Sequence, residues 1–191
     1  MSTTIRELSA TIGAGARANK YRVTFAYPPG VTGVTNLDEV DVLAKTATAP
    51  GKEIGAIELY NQGRKLIIPG ETTYDNAWAV DFYLTENHAL RYDMLKWMEA
   101  CDSFQNNTHS GNPGAIFADL RLEQLDSAGE VSATYTMHNC FPSNVAEVSY
   151  ADESADAVAE FNCTFTYSDW VAGIGETSDF SPISATENDI A

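Results

Sequence analysis

Several segments of this 191-residue chain alternate large apolar residues with polar or small ones, and no other feature constrains its fold as much. A period of two places the apolar side chains on one face of a β-strand and the polar ones on the other. Strands of this kind form antiparallel sheets with one buried face and one solvated face. The pattern occupies residues 20–27, 77–84, 116–123, 131–137 and 159–167.

Turn residues separate these segments. Pro28, Pro29 and Gly30 end the first strand, and Asp126–Gly129 joins two later strands as a hairpin. Between the first two alternating segments, a β segment from Val42 enters a Pro50-Gly51 turn. A second strand then reaches the turn at Asn61–Gly63, and a third strand follows to Pro69. The sequence therefore predicts an additional β-hairpin over residues 50–70.

One helix is predicted, from about Glu86 to Cys101. Thr85 precedes it as a possible cap, and Glu86 lies in the first turn, where the helix dipole favours an anion. Spacings of three and four residues define an apolar stripe, which is more typical of core packing than of a partner groove. The stripe contains Leu90, Met94, Trp97, Met98 and Cys101.

One helix cannot cover an extended sheet at both ends. The expected fold is mainly β, an antiparallel β-sandwich or barrel with one flanking α-helix. We expect this domain to span residues 19–170. Residues 1–18 are small and polar and resemble a flexible N-terminal arm, and residues 171–191 resemble an extended acidic C-terminal tail.

The charge is strongly negative. The chain has 11 Lys and Arg against 27 Asp and Glu, a formal net charge of −16. Residues 1–121 contain all 11 basic residues and 14 acidic ones (net −3), whereas residues 122–191 contain 13 acidic residues and no Lys or Arg (net −13). Electrostatic wrapping of nucleic acid needs basic residues on phosphates, so this charge argues against it. Simple solubility is an alternative reason for the excess.

The chain has neither 20 apolar residues in a row nor an N-terminal apolar core typical of a signal peptide, so no membrane insertion is expected. Cys101, Cys140 and Cys163 are an odd number with no close pairing. They favour reduced thiols in a cytosolic product over a disulfide scaffold.

Two clusters are candidate chemical sites. His138 and Cys140 are two residues apart on a strand and would share a face, but no further ligands follow at a recognisable spacing. Asp152, Glu153 and Asp156 lack the ligand spacing of a calcium loop and are more typical of a solvated acidic loop. No nucleophile elbow, phosphate loop or zinc helix occurs. The sequence predicts no catalytic, cofactor or metal site, and no enzyme.

The hairpin at 50–70 is a candidate docking element. It combines apolar residues with three of the 11 basic residues of an acidic chain, so it could bind an acidic surface of another copy. The alternative is a charged tip that only keeps an edge strand soluble. The docking candidates are Lys52, Ile54, Ile57, Arg64 and Lys65.

Residues 42–101 carry a family resemblance. KTATAPGKEIGAIE at 45–58 and GRKLIIPG at 63–70 are followed by Trp78, Phe82 and the helical LKWM at 95–98. This order resembles the tail tube proteins of contractile-tailed bacteriophages. The resemblance is strongest over 42–101 and extends over 17–168.

The resemblance implies a structural protein. Members of that family form hexameric rings in which sheets of six subunits join into one inner barrel, and the rings stack into a tube inside a contractile sheath. The implied partners are further copies, the tail sheath protein, and baseplate and tape-measure proteins. The implied location is the virion tail tube, assembled in the host cytoplasm. By position, the hairpin at 50–70 and the arm at 1–18 would reach the neighbouring ring.

Such a tube conducts double-stranded DNA without binding it specifically. Because duplex DNA is a dense polyanion, an acidic channel wall would leave it free to slide, and a basic wall would hold it. The best candidates for an acidic lumen are Asp81, Asp119 and Glu123, on the polar faces of predicted strands.

Three alternatives remain. The chain could form the expelled tube of a phage-like bacteriocin or type VI secretion system. It could instead be a tube initiator or terminator at the baseplate or tail end. The third alternative is a β-sandwich binding module or a small hydrolase.

Overall fold

The described part of the chain covers most of the predicted domain. The computed structural model describes Ile5, Ile12 and Gly13, and residues 15–32, 38–104, 106–109, 112–150 and 157–175. Most of the predicted N-terminal arm, residues 176–191 of the predicted tail, and the acidic residues Asp152, Glu153 and Asp156 lie outside these ranges. In the described ranges, no helix has both the length and the apolar character needed to span a membrane.

The described residues form two helices, eleven strands and a short 3₁₀ turn at Pro113–Ala115. The helices are α1 (Asp38–Leu43) and α2 (Ala89–Cys101). The strands are β1 (Tyr21–Phe25), β2 (Ala44–Ala47), β3 (Glu53–Asn61), β4 (Arg64–Thr73), β5 (Ala77–Tyr83), β6 (Asp102–Ser103), β7 (Thr108–His109), β8 (Ala118–Leu125), β9 (Val131–Val145), β10 (Glu160–Thr166) and β11 (Asp169–Ile174).

Strand β9 belongs to two sheets. Its residues 133–138 pair with β11 and its residues 141–145 pair with β10, both antiparallel. Sheet A contains β1, β8, the first part of β9 and β11, and sheet B contains the last part of β9, β10, β5 and β2. The described chain is therefore mainly β, an antiparallel sandwich flanked by one long helix, which confirms the predicted fold class.

A bulge turns β9 from sheet A into sheet B. Asn139 has a left-handed φ of 54°, and the register with β8 shifts between Ala118 and Leu120. Asp119 lies opposite this point. Its Oδ1 accepts the Asn139 N–H at 3.2 Å, and its Oδ2 is 3.2 Å from Nδ1 of His138. Asn tolerates a left-handed backbone better than most residues, and a bulge bends its strand, so these residues fix the crossing.

The core between the sheets includes an aromatic cluster. Trp97 of α2 lies 6.1 Å from both Phe25 of β1 and Phe165 of β10, measured between ring centroids. Its Nε1 donates to the carbonyl of Ile116 at 2.7 Å, so the buried indole keeps a partner. The alternating strands bury one face each, with Val23, Phe25, Trp78, Val80, Phe82, Leu120, Leu122, Phe161, Cys163 and Phe165 in the core.

Helix α2 begins three residues later than expected. The predicted start at Glu86 with Thr85 as the cap is wrong, because His88 has a left-handed φ of 54° and interrupts the helical backbone. Asn87 Oδ1 instead accepts the Ala89 N–H at 3.1 Å. Along the predicted stripe, Leu90, Met94 and Trp97 are buried, whereas Met98 and Cys101 are half-buried.

The C-terminal boundary also differs. Residues 171–174, which the sequence assigned to the tail, belong to β11. Only Tyr167 and Ser168 separate β10 from β11, so the chain continues its pairing with β9 after a short interruption. Trp170 packs against Tyr135 with ring centroids 6.2 Å apart, which gives this strand an apolar anchor.

All three cysteines are free thiols. Burial raises the pKa of Cys140 to about 12, and it also raises the pKa of Cys163 and of Cys101. A buried thiol with a raised pKa is a poor nucleophile and acts as a small apolar side chain.

The Trp97 contacts predict a specific loss of stability. Trp97→Phe removes the hydrogen bond to Ile116 and part of the ring volume, and should lower the free energy of unfolding by about 2 kcal/mol. Urea unfolding followed by circular dichroism measures this. Leu95→Ala, on the exposed side of α2, is the matched control. An equal loss in both variants would contradict the role given to Trp97.

Candidate assembly surfaces

Strands β3 and β4 form a hairpin that stands apart from both sheets. Among the described strands they pair only with each other, and they run antiparallel around a turn at Gln62 and Gly63, whose φ values are 47° and 78°. A strand of this length spans about 30 Å. An isolated two-stranded hairpin is marginally stable in water, so this one needs a covering surface.

One face of the hairpin is aliphatic in its middle and ends at the tip in the polar pair Asn61 and Arg64. The register pairs Ile57 with Ile68 and Leu59 with Leu66, so these four side chains share a face. They are 47%, 37%, 47% and 59% exposed, respectively. Ile54, the remaining apolar candidate, precedes a register shift at Gly55 and is also exposed. Exposed aliphatic patches of this kind are typical of interaction surfaces.

The opposite face is mixed and internally paired. Lys65 Nζ forms an ion pair with Glu58 Oε1, and the Tyr60 hydroxyl donates to Glu58 Oε2 at 2.8 Å. The contacts with Lys65 and then Tyr60 hold the pKa of Glu58 below its ordinary value. Ile67 lies on this face, across from Glu58.

The net charge of the hairpin is small, and its docking role stays a prediction. Over residues 50–70, Lys52, Arg64 and Lys65 face Glu53 and Glu58, a formal charge of +1. Glu71 brings the segment 51–73 to a formal charge of zero. Lys65 is also ion-paired with Glu58. The distinctive property of the hairpin is thus its aliphatic face, carried by a neutral segment of an acidic chain.

Asp81 lies on the outer face of sheet B, within a polar network. Its Oδ2 accepts from the Thr46 hydroxyl, and its Oδ1 accepts from Nδ2 of Asn162 at 2.7 Å. The Thr46 hydrogen bond, followed by that of Asn162, holds the pKa of Asp81 below its ordinary value. Beside this network, Lys45 is paired with Glu160 at 2.6 Å.

Asp119 and Glu123 lie on the outer face of sheet A instead. Asp119 holds the β9 bulge, and Glu123 is 3.4 Å from Arg22 and 4.0 Å from Arg121, with only 12% of its side chain exposed. The structure therefore separates the three lumen candidates. Asp81 belongs to one outer face of the sandwich, and the other two belong to the opposite one.

His138 and Cys140 do not share a face, contrary to the prediction. The bulge at Asn139 reverses the alternation, so His138 is half-buried beside Asp119 while Cys140 is fully buried. Across the described ranges, no group of three or more His, Cys, Asp or Glu is placed to hold a metal ion.

A groove beside β11 was not predicted. Its volume is about 370 Å³, and its lining joins Lys52 and Tyr74, at the base of the hairpin, to residues 169–172 of β11. The Tyr74 hydroxyl donates to the Ser168 carbonyl at 2.7 Å, and its ring stacks on Tyr167 at 6.2 Å. The sequence signal for this groove was Trp170, an aromatic residue at the last position of the predicted domain.

The sequence comparisons agree on one family. A family model described as "Phage tail tube protein" matches residues 16–173. A tail tube protein of Serratia phage KSP90 is 26% identical over 167 residues, which cover 86% of this chain and 94% of that protein.

Solved structures share the fold. The sheath–tube complex of an extracellular contractile injection system (PVC) contains a chain with a TM-score of 0.60 and 12% identity, covering 91% of this chain and 99% of that one. The baseplate of the anti-feeding prophage contains another, also with a TM-score of 0.60 and 12% identity, covering 85% and 97%.

The Asp81 network predicts a pH-dependent stability. Because the pKa of Asp81 is lowered in the fold, its contribution is present at neutral pH and is lost as the pH falls through its folded pKa. Asp81→Asn should destabilise the protein by about 1 kcal/mol at pH 7, given partial solvent exposure. The difference should narrow as the pH falls below the ordinary pKa of aspartate and through the lowered pKa of Asp81. Thermal unfolding from pH 2.5 to 7 measures it, with exposed Glu86→Gln as control. A gap independent of pH would contradict the assignment.

Proposed function

The chain belongs to the phage tail tube protein family, and we propose that its copies form hexameric rings that stack into the tube of a contractile phage tail. This tube conducts double-stranded DNA through the host envelope without binding a specific sequence. The family match over residues 16–173 carries the proposal, and the phage source of the curated relative supports it. The members are structural proteins, so the subunit acts through its surfaces rather than through an active site.

The edges of the sandwich support ring formation. Among the described strands, β11 pairs with β9 alone, so one of its edges is not covered by another strand. Strands β1 and β2 also have one partner each, β8 and β5, but they approach each other where the Tyr21 hydroxyl donates to the Ala44 carbonyl at 3.1 Å. An uncovered edge presents backbone N–H and C=O groups that pair readily with another chain. A closed ring uses these edges as seams between identical subunits, and a second, head-to-tail contact then stacks the rings.

The proposed tube implies several partners for the subunit. The outside of the tube faces the tail sheath protein, and its end meets the baseplate. Inside it lie the tape-measure protein before ejection and DNA during ejection. The subunit assembles in the host cytoplasm and remains in the virion tail.

We also propose that the channel wall is acidic. The sandwich restricts which of the acidic candidates can line the same wall. Because Asp81 and the pair Asp119 and Glu123 lie on opposite outer faces, a single channel wall contains one set and not the other. Glu123 is ion-paired with Arg22 and lies 4.0 Å from Arg121. Asp81 instead accepts hydrogen bonds from the neutral side chains of Thr46 and Asn162, and the neighbouring Lys45 is paired with Glu160. We therefore assign sheet B to the lumen.

A second candidate keeps the fold and changes the cargo. The likeness to chains of contractile injection systems suits an expelled tube, but at 12% identity it supports the fold only. A tube initiator or terminator would occur in few copies per particle. Neighbouring capsid and terminase genes, together with the copy number per virion, separate these alternatives from the main tube of a phage.

Electron microscopy of the purified protein tests the proposal directly. Over a rising concentration series, with baseplate added where nucleation is needed, we expect sixfold rings and then tubes of uniform width with a central channel. A protein that stays monomeric even on baseplates would contradict the tube assignment.

The lumen assignment predicts a difference between two matched lysine variants. Ala79 is exposed on the outer face of sheet B, and Ser132 is exposed on the outer face of sheet A, and neither belongs to an acidic network. Ala79→Lys should slow DNA ejection from assembled particles several-fold because each ring gains six charges that attract phosphates. Ser132→Lys should not. Normal ejection with Ala79→Lys would contradict the sheet B assignment.

A further inference from the structure

Strand β11 has an edge and a groove that the described chain does not fill. It pairs with β9 along one side, and no other described strand covers its second side. We propose that residues 176–183 turn back at Gly175 and lie along this edge of their own subunit, with Phe180 in the Tyr74–Trp170 groove. The free subunit then carries a removable cover over an edge that ring formation uses, and this last step rests on the proposed tube function.

Gly175 prepares the chain for such a reversal. Its φ of 77° lies in the left-handed region that favours glycine and that the turns of β-hairpins use. Its N–H donates to the Ser132 carbonyl at 3.0 Å, and its carbonyl accepts from the Thr134 hydroxyl at 2.7 Å. The end of β11 is therefore held on β9 up to the residue at which the chain turns.

The spacing along the chain brings one aromatic residue back to the groove. Trp170 lies five residues before Gly175, and Phe180 lies five residues after it. In a hairpin that turns at Gly175, these two residues lie close together on neighbouring strands. Phe180 is the one aromatic residue in the sequence 176–191. The groove of about 370 Å³ is already lined by the rings of Tyr74 and Trp170, and it has room for a third ring.

The segment 176–183 has the composition of an edge strand. Native sheet edges carry charged residues and proline, which prevent a further strand from pairing there. Glu176 and Asp179 supply charges, and Pro182 has no N–H to donate. A strand formed by this segment would therefore close the sheet rather than extend it.

Lys52 gives the groove a cation for this acidic segment. Residues 176–183 have a formal charge of −2, and Asp179 comes directly before Phe180. Lys52 lines the groove and is exposed, and no carboxylate of the described residues forms an ion pair with it. Asp169 lines the same groove and opposes the charge of Lys52. Burial of the Phe180 ring therefore supplies most of the contact, and Lys52 orients the segment.

The connection to β11 favours the segment of the same subunit over that of a second copy. Residues 176–183 begin directly after Gly175, so their effective concentration at the groove is on the order of millimolar. A second copy carries the same net charge of −16 and is repelled. The cover therefore forms within one subunit in dilute protein and is displaced where copies are concentrated, as at a growing ring.

Amide hydrogen exchange of the 191-residue chain tests the docking, in protein dilute enough to sediment as a monomer. Phe180→Ser should speed exchange of the β11 amides at the uncovered edge about tenfold or more, because it removes the ring that holds the segment. Phe104→Ser is the matched control, since Phe104 is 93% exposed and lies outside the groove. Equal β11 exchange in wild type and Phe180→Ser would overturn the docking. Wild-type protection that grows with protein concentration would overturn the assignment to the same subunit.

Charge reversal tests the contact between Lys52 and Asp179. Lys52→Glu and Asp179→Lys should each speed β11 exchange about threefold, as expected for an exposed ion pair. The double variant Lys52→Glu with Asp179→Lys should return exchange to the wild-type rate, because the pair is restored with opposite signs. A double variant that exchanges as fast as the single variants would overturn the role of Lys52.

The concentration needed for assembly tests the restraint on ring formation. Because Phe180→Ser releases the β11 edge, it should lower the concentration at which rings and tubes form several-fold, whereas Phe104→Ser should not. An unchanged or higher concentration for Phe180→Ser would overturn the restraint and leave the tube function standing. If wild-type protein forms neither rings nor tubes on baseplates, the tube function and the restraint fail together, and the exchange measurement still decides the docking.

Discussion

The fold depends on the bend that carries β9 from one sheet to the other. Without it, β9 would pair along its full length in a single sheet, and the two apolar faces would have nothing to close against. The bend is built from a left-handed Asn139, a register shift in β8, and Asp119, which accepts the Asn139 N–H at 3.2 Å. On the other side of β9, the chain breaks at Tyr167 and Ser168, so β10 and β11 follow the same change of direction. Bulges of this kind re-aim a strand while its neighbours stay paired.

With the sandwich closed, α2 completes the core. Trp97 reaches Phe25 of sheet A and Phe165 of sheet B, so one side chain ties both sheets to the helix. The outer faces of the sheets then carry separate polar networks, one around Asp81 and one around Glu123 and Arg22. A subunit with two dissimilar outer faces can present one of them to a channel and the other to the outside of a tube.

The hairpin is the part of the chain that the monomer leaves incomplete. Its backbone is paired and its mixed face is satisfied, but its aliphatic face has no cover among the described residues. Burial of this face would therefore contribute favourable free energy only when the subunit assembles with other chains. One edge of β11 likewise has no cover from another described strand. In the proposed assembly, the favourable free energy would come from a few apolar and backbone surfaces, while the acidic remainder of the surface opposes non-specific association.

The sequence by itself determined the fold class, the five alternating strands, the hairpin and the buried side of the helix, because periodicity of apolar residues reports directly which face of an element is buried. It also carried the family resemblance, through KTATAPGKEIGAIE and GRKLIIPG. Tertiary structure alone decided the bend at Asn139. This bend places His138 and Cys140 on different faces and makes Asp119 the hydrogen-bond acceptor at the bulge. Tertiary structure also decided that Asp81 and Glu123 lie on opposite faces, and that Trp170 and Tyr74 line one groove. These outcomes depend on non-local pairing: a strand pattern fixes which side chains face inward, but only its neighbours fix which sheet it joins and where it turns.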